Sequence, residues 1–217
     1  EVGPAPMHTR SGVVDVLVED EAEAVAVAKR YLAYFQGPVD DWQAPDQLRL
    51  RNAIPQRRTR AYDVRPVIET ICDAGSVLEL RRGFGPALIT ALARIEGQTI
   101  GVIANDPAHQ AGAIGSEESD KMTRFLQLCD AFDLPVLSLC DCPGIMVGPE
   151  SEKTALVRHS SRILLTGANL DIPYFTIVLR KAYGLGAMAM ARGSFHLGSF
   201  FTVAWPTAEF GGMGLEG

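Results

Sequence analysis

The stretch with the clearest capacity for chemistry is residues 180–190, RKAYGLGAMAM. The run before it, residues 172–179, predicts a buried strand because it is almost continuously β-branched or aromatic. Gly184 and Gly186 permit a positive φ or a close backbone approach, and the residues after them favour a helix. A strand that turns into a helix in this way presents backbone N–H groups, which stabilise a developing negative charge. An ordinary structural turn is the alternative interpretation.

Two further glycine-rich loops follow predicted strands. Residues 141–148 (DCPGIMVG) come after one strand, and residues 206–214 (PTAEFGGMG) come after another. Because parallel strands of an α/β sheet end at one edge, we expect the three loops to converge there. The sequence has no Gly-x-x-x-x-Gly-Lys-Ser/Thr, no Gly-x-Ser-x-Gly and no His-Glu-x-x-His motif. Backbone dipoles are therefore the expected source of chemistry.

The segment 37–60 carries prolines and a dense group of cations and predicts a linker. Two interpretations of the cations stay open: a site for a phosphate-bearing ligand, or a solvated face that meets an acidic partner. Lys181 is likewise open between phosphate binding and an exposed surface position. The cations of the segment are Arg49, Arg51, Arg57, Arg58 and Arg60.

Other candidate side chains receive structural interpretations. His159, and the pair Ser194 and His196, have the residue types of a general base and a nucleophile. Residues two apart do not face each other on a helix, so structural roles are expected. Trp205 and Phe210 are expected in the core or at a dimer contact rather than as stacking platforms.

Composition narrows the class of protein. The net charge of −6 and the pI near 5.2 argue against a general binder of nucleic acid or anionic membranes. No apolar run reaches membrane-spanning length and the first residues do not resemble a signal peptide, so we expect a cytoplasmic protein without a membrane segment. The cysteines lack metal-site spacing, so we expect reduced thiols and no metal. They are Cys72, Cys129, Cys140 and Cys142.

Alternating helix and strand patterns predict an α/β layered domain with mostly parallel strands. A strand is predicted over 13–18, and Asp20 is the expected N-cap of a helix over 21–35. That helix should bury Val25, Ala28, Leu32 and Phe35. Further helices are predicted over 64–73, 117–132, 151–166 and 185–191, and strands over 98–104, 135–140, 172–179 and 201–205.

Four of these segments together resemble a known family. They resemble motifs of carboxyltransferase subunits of biotin-dependent acyl-CoA carboxylases, and they follow one another in the family's order. The segments are YDVR at 62–65, DCPGIMVG at 141–148, RKAYG at 180–184 and AWPTAE at 204–209. The propionyl-CoA and acetyl-CoA carboxylase type is the most similar. The resemblance extends over nearly the whole chain and implies a crotonase-like fold of layered β-β-α units.

The resemblance also implies an assembly. Family members have two crotonase-like domains, and each active site lies between the first domain of one subunit and the second domain of its dimer mate. Residues 1–44 then correspond to the tail of the first domain plus a linker. Residues 45–217 correspond to the second domain, incomplete at its end. Implied partners are further copies in a hexamer, a biotin carboxylase and a biotin carboxyl carrier; the fragment alone should be inactive.

The activity that the resemblance implies is transfer of CO2 from carboxybiotin to the α carbon of an acyl-CoA. Gly144 and Ile145 match the loop that cradles biotin, with a plain strand-exit turn as the alternative, and Tyr183 and Gly184 are assigned to the same cofactor. A biotin-dependent acyl-CoA decarboxylase and a non-catalytic subunit of such a complex are the alternative functions.

One departure from the family pattern affects the catalytic residues. The family commonly has Arg-Lys-Ala-Tyr-Gly-Gly-Ala, whereas Leu185 stands here between two glycines. A gapless match makes Leu185 and Gly186 the donors to the biotin oxygen; one inserted residue makes them Gly186 and Ala187, which the spacing to AWPTAE favours. An aspartate of propionyl-type members is replaced by Met188 and Ala189, so we expect a longer or more apolar acyl chain.

Overall fold

The computed structural model describes residues 3–195 and 198–213. Its strands are β1 Leu78–Leu80, β2 Leu88–Ile95, β3 Gln98–Asn105, β4 Val136–Cys142, β5 Tyr174–Tyr183, β6 Phe201–Ala204 and β7 Glu209–Gly211. Its α-helices are α1 Ala5–Arg10, α2 Glu21–Ala33, α3 Arg65–Ile71, α4 Ser116–Ala131, α5 Pro149–Glu152, α6 Leu156–Ala168 and α7 Gly184–Met190. Two 3₁₀-helices lie at Gln47–Asn52 and Gln110–Gly112.

The described strands form one mixed sheet. Its order is β1-β2-β3-β4-β5-β6, and β7 pairs with β5 beyond the end of β6. The β1-β2 and β2-β3 pairs are antiparallel, whereas β3-β4, β4-β5, β5-β6 and β5-β7 are parallel. The expectation of mostly parallel strands is thus correct for the half of the sheet that carries the glycine-rich loops.

Helices and the linker cover the two faces of this sheet. Successive side chains of a strand point to opposite faces, so β2 contributes to two separate cores. Leu88 and Leu92 pack in the cluster shared with α4 and α6, whereas Ile89 and Ala91 pack in the cluster shared with α3. Every residue of β4 is buried, which makes β4 the centre of the fold. The layered α/β architecture is as expected.

The N-cap of α2 is as predicted, but the residues that the helix buries differ from the prediction. The Asp20 side chain accepts the N–H of Glu23 at 2.8 Å, as an N-cap should. Val25 and Leu32 are 54% and 58% exposed, so the prediction is wrong for these two residues, whereas Phe35 packs against the core as expected. Just after the helix, the Arg94 guanidinium lies over the ring of the C-cap residue Tyr34. Aromatic side chains at the C-terminal end, rather than the aliphatic stripe, therefore attach the helix to the fold.

The predicted strand over residues 13–18 is also wrong. This segment is irregular, although the Asp15 carbonyl accepts the N–H of Arg81 at 2.7 Å. Arg81 has a φ of 55°, which turns the chain away at the point where a ladder would have to continue. One backbone bond therefore does not extend into a strand.

The prediction of one helix over 151–166 is wrong because the chain breaks there. Ala155 adopts a left-handed conformation (φ 58°) between α5 and α6. The predicted strand at 172–179 is longer than expected, since β5 continues through Tyr183. The short strands β1 and β7 and the apolar strand β2 were not predicted.

Candidate active site

The site lies at the carboxyl ends of two neighbouring parallel strands. β4 and β5 pair in parallel, with Cys142 opposite Ala182 near their ends. β4 then continues into the loop 143–148, and β5 continues directly into α7. The two segments that the sequence singled out for chemistry therefore emerge side by side, as the rule for parallel sheets predicts.

Two glycines allow the loop and the helix to meet. Gly184 has a φ of 55°, which turns the chain from β5 into α7. A Cβ added to Gly186 would lie 2.6 Å from the carbonyl carbon of Gly144 and 2.7 Å from Cys142 Sγ. Glycine at position 186 is therefore required for the helix start to rest directly on the Gly144 backbone.

Backbone N–H groups at the start of α7 are the chemical feature of this contact. Tyr183 is the N-cap, so its carbonyl accepts the first intrahelical bond, from Ala187. The N–H groups of Gly184, Leu185 and Gly186 precede that bond and have no acceptor within the helix. Such groups favour an anion or a developing negative charge.

A cavity of about 540 Å³ opens beside the helix start. Five of the residues that the sequence analysis assigned to the site line it: Gly144, Ile145, Tyr183, Gly184 and Leu185. Gly186 and Ala187 are buried and are not among the residues that line it. The rest of the lining is largely apolar and includes Met146, Val147, Leu156, Val157, Leu164 and Met213. The third glycine-rich loop also reaches it, through Gly212.

The Tyr183 side chain ties β5 to β7 at the rim. Its hydroxyl donates to Glu209 Oε2 at 2.7 Å, and Arg58 pairs with the same carboxylate at 3.3 Å. Burial, with a further contribution from Glu209, raises the pKa of Tyr183, so the phenol remains the proton donor. Arg58 of the predicted cationic segment therefore has an acidic partner within the chain.

Beneath the site lies a cluster of charged side chains that the sequence analysis did not identify as a unit. Asp141 is fully buried and accepts Arg180 Nε at 3.0 Å and the Tyr62 hydroxyl at 2.9 Å. The Arg180 guanidinium also packs over the Tyr62 ring at 4.9 Å. Burial and the neighbouring Asp141 raise the pKa of Tyr62, which keeps its hydroxyl protonated. The sequence does contain a signal for this cluster: a charged residue lies near the end of each of two apolar strands, Asp141 in β4 and Arg180 in β5.

Lys181 belongs to the same cluster, and neither of its two predicted roles, phosphate binding or an exposed surface position, is correct. Its side chain is 11% exposed, and Nζ lies 3.5 Å from Asp141 Oδ1 and donates to the Ala111 carbonyl at 2.8 Å. It is therefore neither an exposed surface residue nor a cation with a free phosphate-binding face.

The remaining candidates lie apart from the cavity. His159 Nδ1 is 2.9 Å from Asp120 Oδ1, a contact between α6 and α4, which agrees with a structural role. Trp205 packs on the α3 side of the sheet, and Phe210 is half exposed and makes an edge contact with Phe195. His196 lies outside the described residues. The other cations of segment 37–60 are exposed: Arg49, Arg51, Arg57 and Arg60.

The four cysteines are buried and unbonded, as expected for reduced thiols. Burial raises the pKa of three of them to about 12 and that of Cys140 well above its usual value. These three are Cys72, Cys129 and Cys142. Across residues 3–195 and 198–213, no three His, Cys, Asp or Glu side chains are grouped as a metal site. No helix in the same part of the chain is long and apolar enough to span a membrane.

Fold and site define a carboxyltransferase domain. The family model described as "Carboxyl transferase domain" matches residues 1–217, and the chain belongs to that family. A relative in Mycobacterium tuberculosis, the biotin-dependent long-chain acyl-coenzyme A carboxylase beta4 subunit, is 36% identical over 228 residues, which cover 100% of this chain and 43% of the relative. The chain spans less than half the length of the curated relatives it matches.

Two solved structures are close in fold. One belongs to a single-chain, multi-domain long-chain acyl-CoA carboxylase; it is 56% identical with a TM-score of 0.97, and the match covers 99% of this chain and 22% of that one. The other is the transcarboxylase 12S hexamer with methylmalonyl-CoA bound, 34% identical with a TM-score of 0.89 over 98% of this chain and 43% of that one. Both belong to the crotonase-like superfamily that the sequence predicted.

Proposed function

We propose that this chain supplies the biotin side of a carboxyltransferase active site that moves CO2 from carboxybiotin to the α carbon of an acyl-CoA. Family membership and the named activities of the relatives support the chemistry. The location of the biotin site is supported by one observation: Gly186 rests directly on the Gly144 backbone, which fixes the start of α7 beside the cavity.

The cavity suits the head group of biotin. Its lining is largely apolar, and Gly184 and Leu185 of the helix start, whose N–H groups have no acceptor within the helix, are part of it. A flat, mostly apolar bicyclic group with one polar carbonyl fits such a lining, and the volume is in the usual range of small-molecule sites. Gly144 and Ile145 of the loop and Tyr183 and Gly184 of the strand–helix junction all line the cavity.

The N–H groups of Leu185 and Gly186 are the proposed donors to the ureido oxygen. Ala187 is the less suitable candidate, because Tyr183 is the N-cap of α7 and the N–H four residues after an N-cap is the one expected to make the first intrahelical bond. Bound carboxybiotin supplies the CO2 and, after its release, the ring nitrogen that accepts the α-proton of the acyl-CoA. The chain's own role is to stabilise negative charge on the oxygen with preorganised amides, each worth roughly 3 to 4 kcal/mol in comparable sites.

A long acyl chain is the proposed substrate class. Leu185 and Met188 are 56% and 38% exposed around the helix start, whereas Ala189 is buried. Met188, rather than Ala189, is thus available to contact an acyl group. The similarity to a structure titled as a long-chain acyl-CoA carboxylase supports the same class.

The partners of the whole protein are proposed from the relatives. The transcarboxylase 12S structure is described as a hexamer at a multienzyme core, and several relatives are beta subunits of biotin-dependent carboxylases. We therefore propose a homo-oligomer that works with a biotin carboxylase and a biotin carboxyl carrier. The division at residue 44 and a cytoplasmic location stay predictions.

The alternatives have less support. A non-catalytic subunit would need no close contact at the helix start, whereas Gly186 rests directly on the Gly144 backbone. A decarboxylase would use the same contacts in reverse, but the relatives described above are named as carboxylases or transcarboxylases.

Replacing one donor tests the proposal. Leu185→Pro removes the N–H at a first-turn position, where a helix tolerates proline because no intrahelical bond is lost. Leu185→Ala shortens the side chain and keeps the N–H. In the assembled enzyme we expect kcat of the proline variant to fall by about 100- to 1,000-fold relative to the alanine variant. Oligomer size and carrier affinity, measured on both variants, show whether the fold is kept.

If both variants keep the kcat of the parent, the Leu185 N–H is not a donor. If both lose kcat to the same extent, the leucine side chain and not its N–H is what matters. Either result contradicts the proposed backbone chemistry at this position.

A further inference from the structure

In the buried cluster below the helix start, two cations share one carboxylate. Asp141 is the carboxylate that meets two cations, Arg180 at 3.0 Å and Lys181 at 3.5 Å. Its Oδ1 is already occupied by the backbone N–H of Lys181 at 3.1 Å. The better hydrogen bond of the Lys181 ammonium is therefore not to Asp141 but to the Ala111 carbonyl, at 2.8 Å.

The turn that contains Ala111 is strained. Gln110 and Ala111 have φ values of 45° and 54°, a left-handed region that non-glycine residues seldom adopt. Consecutive residues in that region persist only where surrounding contacts hold them. Lys181 Nζ is such a contact, and it reaches the turn from β5 across the end of β4.

Hydrogen bonds lead from this turn to the cavity wall. Ile114, three residues after Ala111, donates its N–H to the Gly144 carbonyl at 3.1 Å and accepts the Met146 N–H at 2.9 Å. The same loop carries Gly144, on which Gly186 rests. The position of the Gly144 backbone therefore depends on where the turn at 110–112 is held.

We propose that Lys181 is a positioning residue: its ammonium holds the strained turn at Ala111, and through Ile114 it sets the place of the Gly144 loop against the start of α7. This inference rests on the proposed function, and it adds a residue that touches neither the cavity nor a reacting atom. Loss of the lysine lets the loop move away from the helix start, so catalysis weakens while the acyl-CoA surface is unchanged.

Lys121 offers a matched control. It is also a buried lysine whose Nζ donates to a backbone carbonyl, that of Leu88 at 2.6 Å, but it lies on α4 away from the site. Lys121→Met thus reproduces the loss of a buried ammonium and of a lysine–carbonyl bond. Lys181→Met makes the same change at the turn.

The experiment compares these variants in the assembled, full-length enzyme. We expect Lys181→Met to lower kcat by about 100-fold, the usual effect of a displacement near 1 Å in an active site, with KM for acyl-CoA within about twofold of the parent. Lys121→Met should leave kcat within about twofold. A loss of kcat of similar size in both variants would overturn the proposal, since it would reflect stability alone.

A second substitution tests the strained turn itself. Glycine adopts a positive φ without strain, so Ala111→Gly should hold the turn without the lysine. The double variant Ala111→Gly, Lys181→Met should recover at least about tenfold of the lost kcat, whereas Ala111→Gly alone should stay close to the parent. Absence of recovery would overturn the claim that Lys181 acts through the turn.

Amide hydrogen exchange gives a readout that needs no turnover. Lys181→Met should speed exchange at the amides of Ile114 and Met146, and Lys121→Met should not. Unchanged exchange at both amides would contradict the proposal. An inactive parent enzyme with normal exchange differences would instead count against the proposed function alone, so the two failures are distinguishable.

Discussion

At the scale of single residues, the buried cations of this protein are held by backbone carbonyls as much as by carboxylates. Arg94 donates to the carbonyls of Ala33 and Gly97, at 2.7 and 2.9 Å, and Lys121 donates to that of Leu88. Carbonyl dipoles satisfy the hydrogen-bond donors, but they offset only part of the free-energy cost of removing a charge from water. A buried lysine held in this way should therefore make stability depend on pH.

Lys121 gives a definite sign for that dependence. Burial lowers its pKa to about 8 from an unfolded value of 10.5; Arg65 and Arg81 lower it further, and Glu79 and Glu118 oppose the shift. Between pH 8 and 10.5 the unfolded chain binds more protons than the folded one, so the stability contribution of Lys121 rises with pH. Relative to Lys121→Met, we expect the parent's free energy of unfolding to increase by roughly 3 kcal/mol over this window.

Urea unfolding of parent and variant at matched pH values measures this difference. Subtracting the variant removes the opposite effect of the buried thiols, whose raised pKa values reduce stability as pH rises above 9. A difference that stays constant from pH 8 to 10.5 would contradict the assignment.

The residue types of the site could be read from the sequence more readily than their environments. Gly184 and Gly186 have the roles that their position after an apolar strand predicts, one by positive φ and the other by close approach. The sequence leaves the role of Lys181 open because its partner, the Ala111 carbonyl, is 70 residues away and belongs to no motif. A long-range contact of this kind leaves no local pattern.

At the scale of elements, the site is a contact between one loop and one helix start. β4 and β5 fix the origin of each, and the seat of Gly186 on Gly144 fixes their separation. Because the contact is between backbones, it leaves no room for a Cβ and its geometry does not depend on rotamers. The proposed N–H donors would therefore be preorganised, as electrostatic catalysis requires.

Gly186→Ala should separate these two elements. The added methyl would lie 2.6 Å from the Gly144 carbonyl carbon, so α7 and the loop must shift apart. We expect kcat to fall by about 100-fold and stability by about 1 to 3 kcal/mol. Steady-state kinetics of the assembled enzyme and urea unfolding measure the two effects.

Gly101→Ala is the control for that change. Its Cβ would clash with the buried Cys129 Sγ, and Gly101 pairs with Val136 at the start of β4, the end opposite the site loops. It should affect stability without lowering kcat. If Gly186→Ala keeps full kcat, or if both variants lose it equally, the loop–helix contact is not what organises catalysis.

Elements with strong local signals were predictable, and those that depend on distant partners were not. The strand–helix alternation from residue 98 onward follows apolar periodicity and was found. The sequence predicts too early an end for β5, because Arg180 and Lys181 are typical of a loop and are buried in the strand only through their pairing with Asp141. The prediction for α2 fails in part for a similar reason: its stripe is exposed at Val25 and Leu32, and the contacts at its C-terminal end are made with distant parts of the chain.

At the scale of the whole molecule, the proposed function assigns one side of an active site to this chain. The N–H row, the Gly144 loop and the apolar cavity are all formed within residues that the structure describes. The chain spans less than half the length of its curated relatives, so the acyl-CoA side is expected from other parts of the full protein. On this account the 217-residue chain alone should show no carboxyl transfer.

The most direct measurement is carboxyl transfer by the full-length protein with a cognate biotin carboxylase and carrier, across acetyl-, propionyl-, butyryl- and long-chain CoA substrates. The account predicts carboxylation that depends on carboxylated carrier and is fastest with the long chain, since each methylene in an apolar pocket is worth about 1 to 3 kcal/mol. Preference for acetyl-CoA would contradict the proposed acyl class. Absence of carboxylation by folded protein, with carboxylated carrier demonstrably present, would contradict the carboxyltransferase itself.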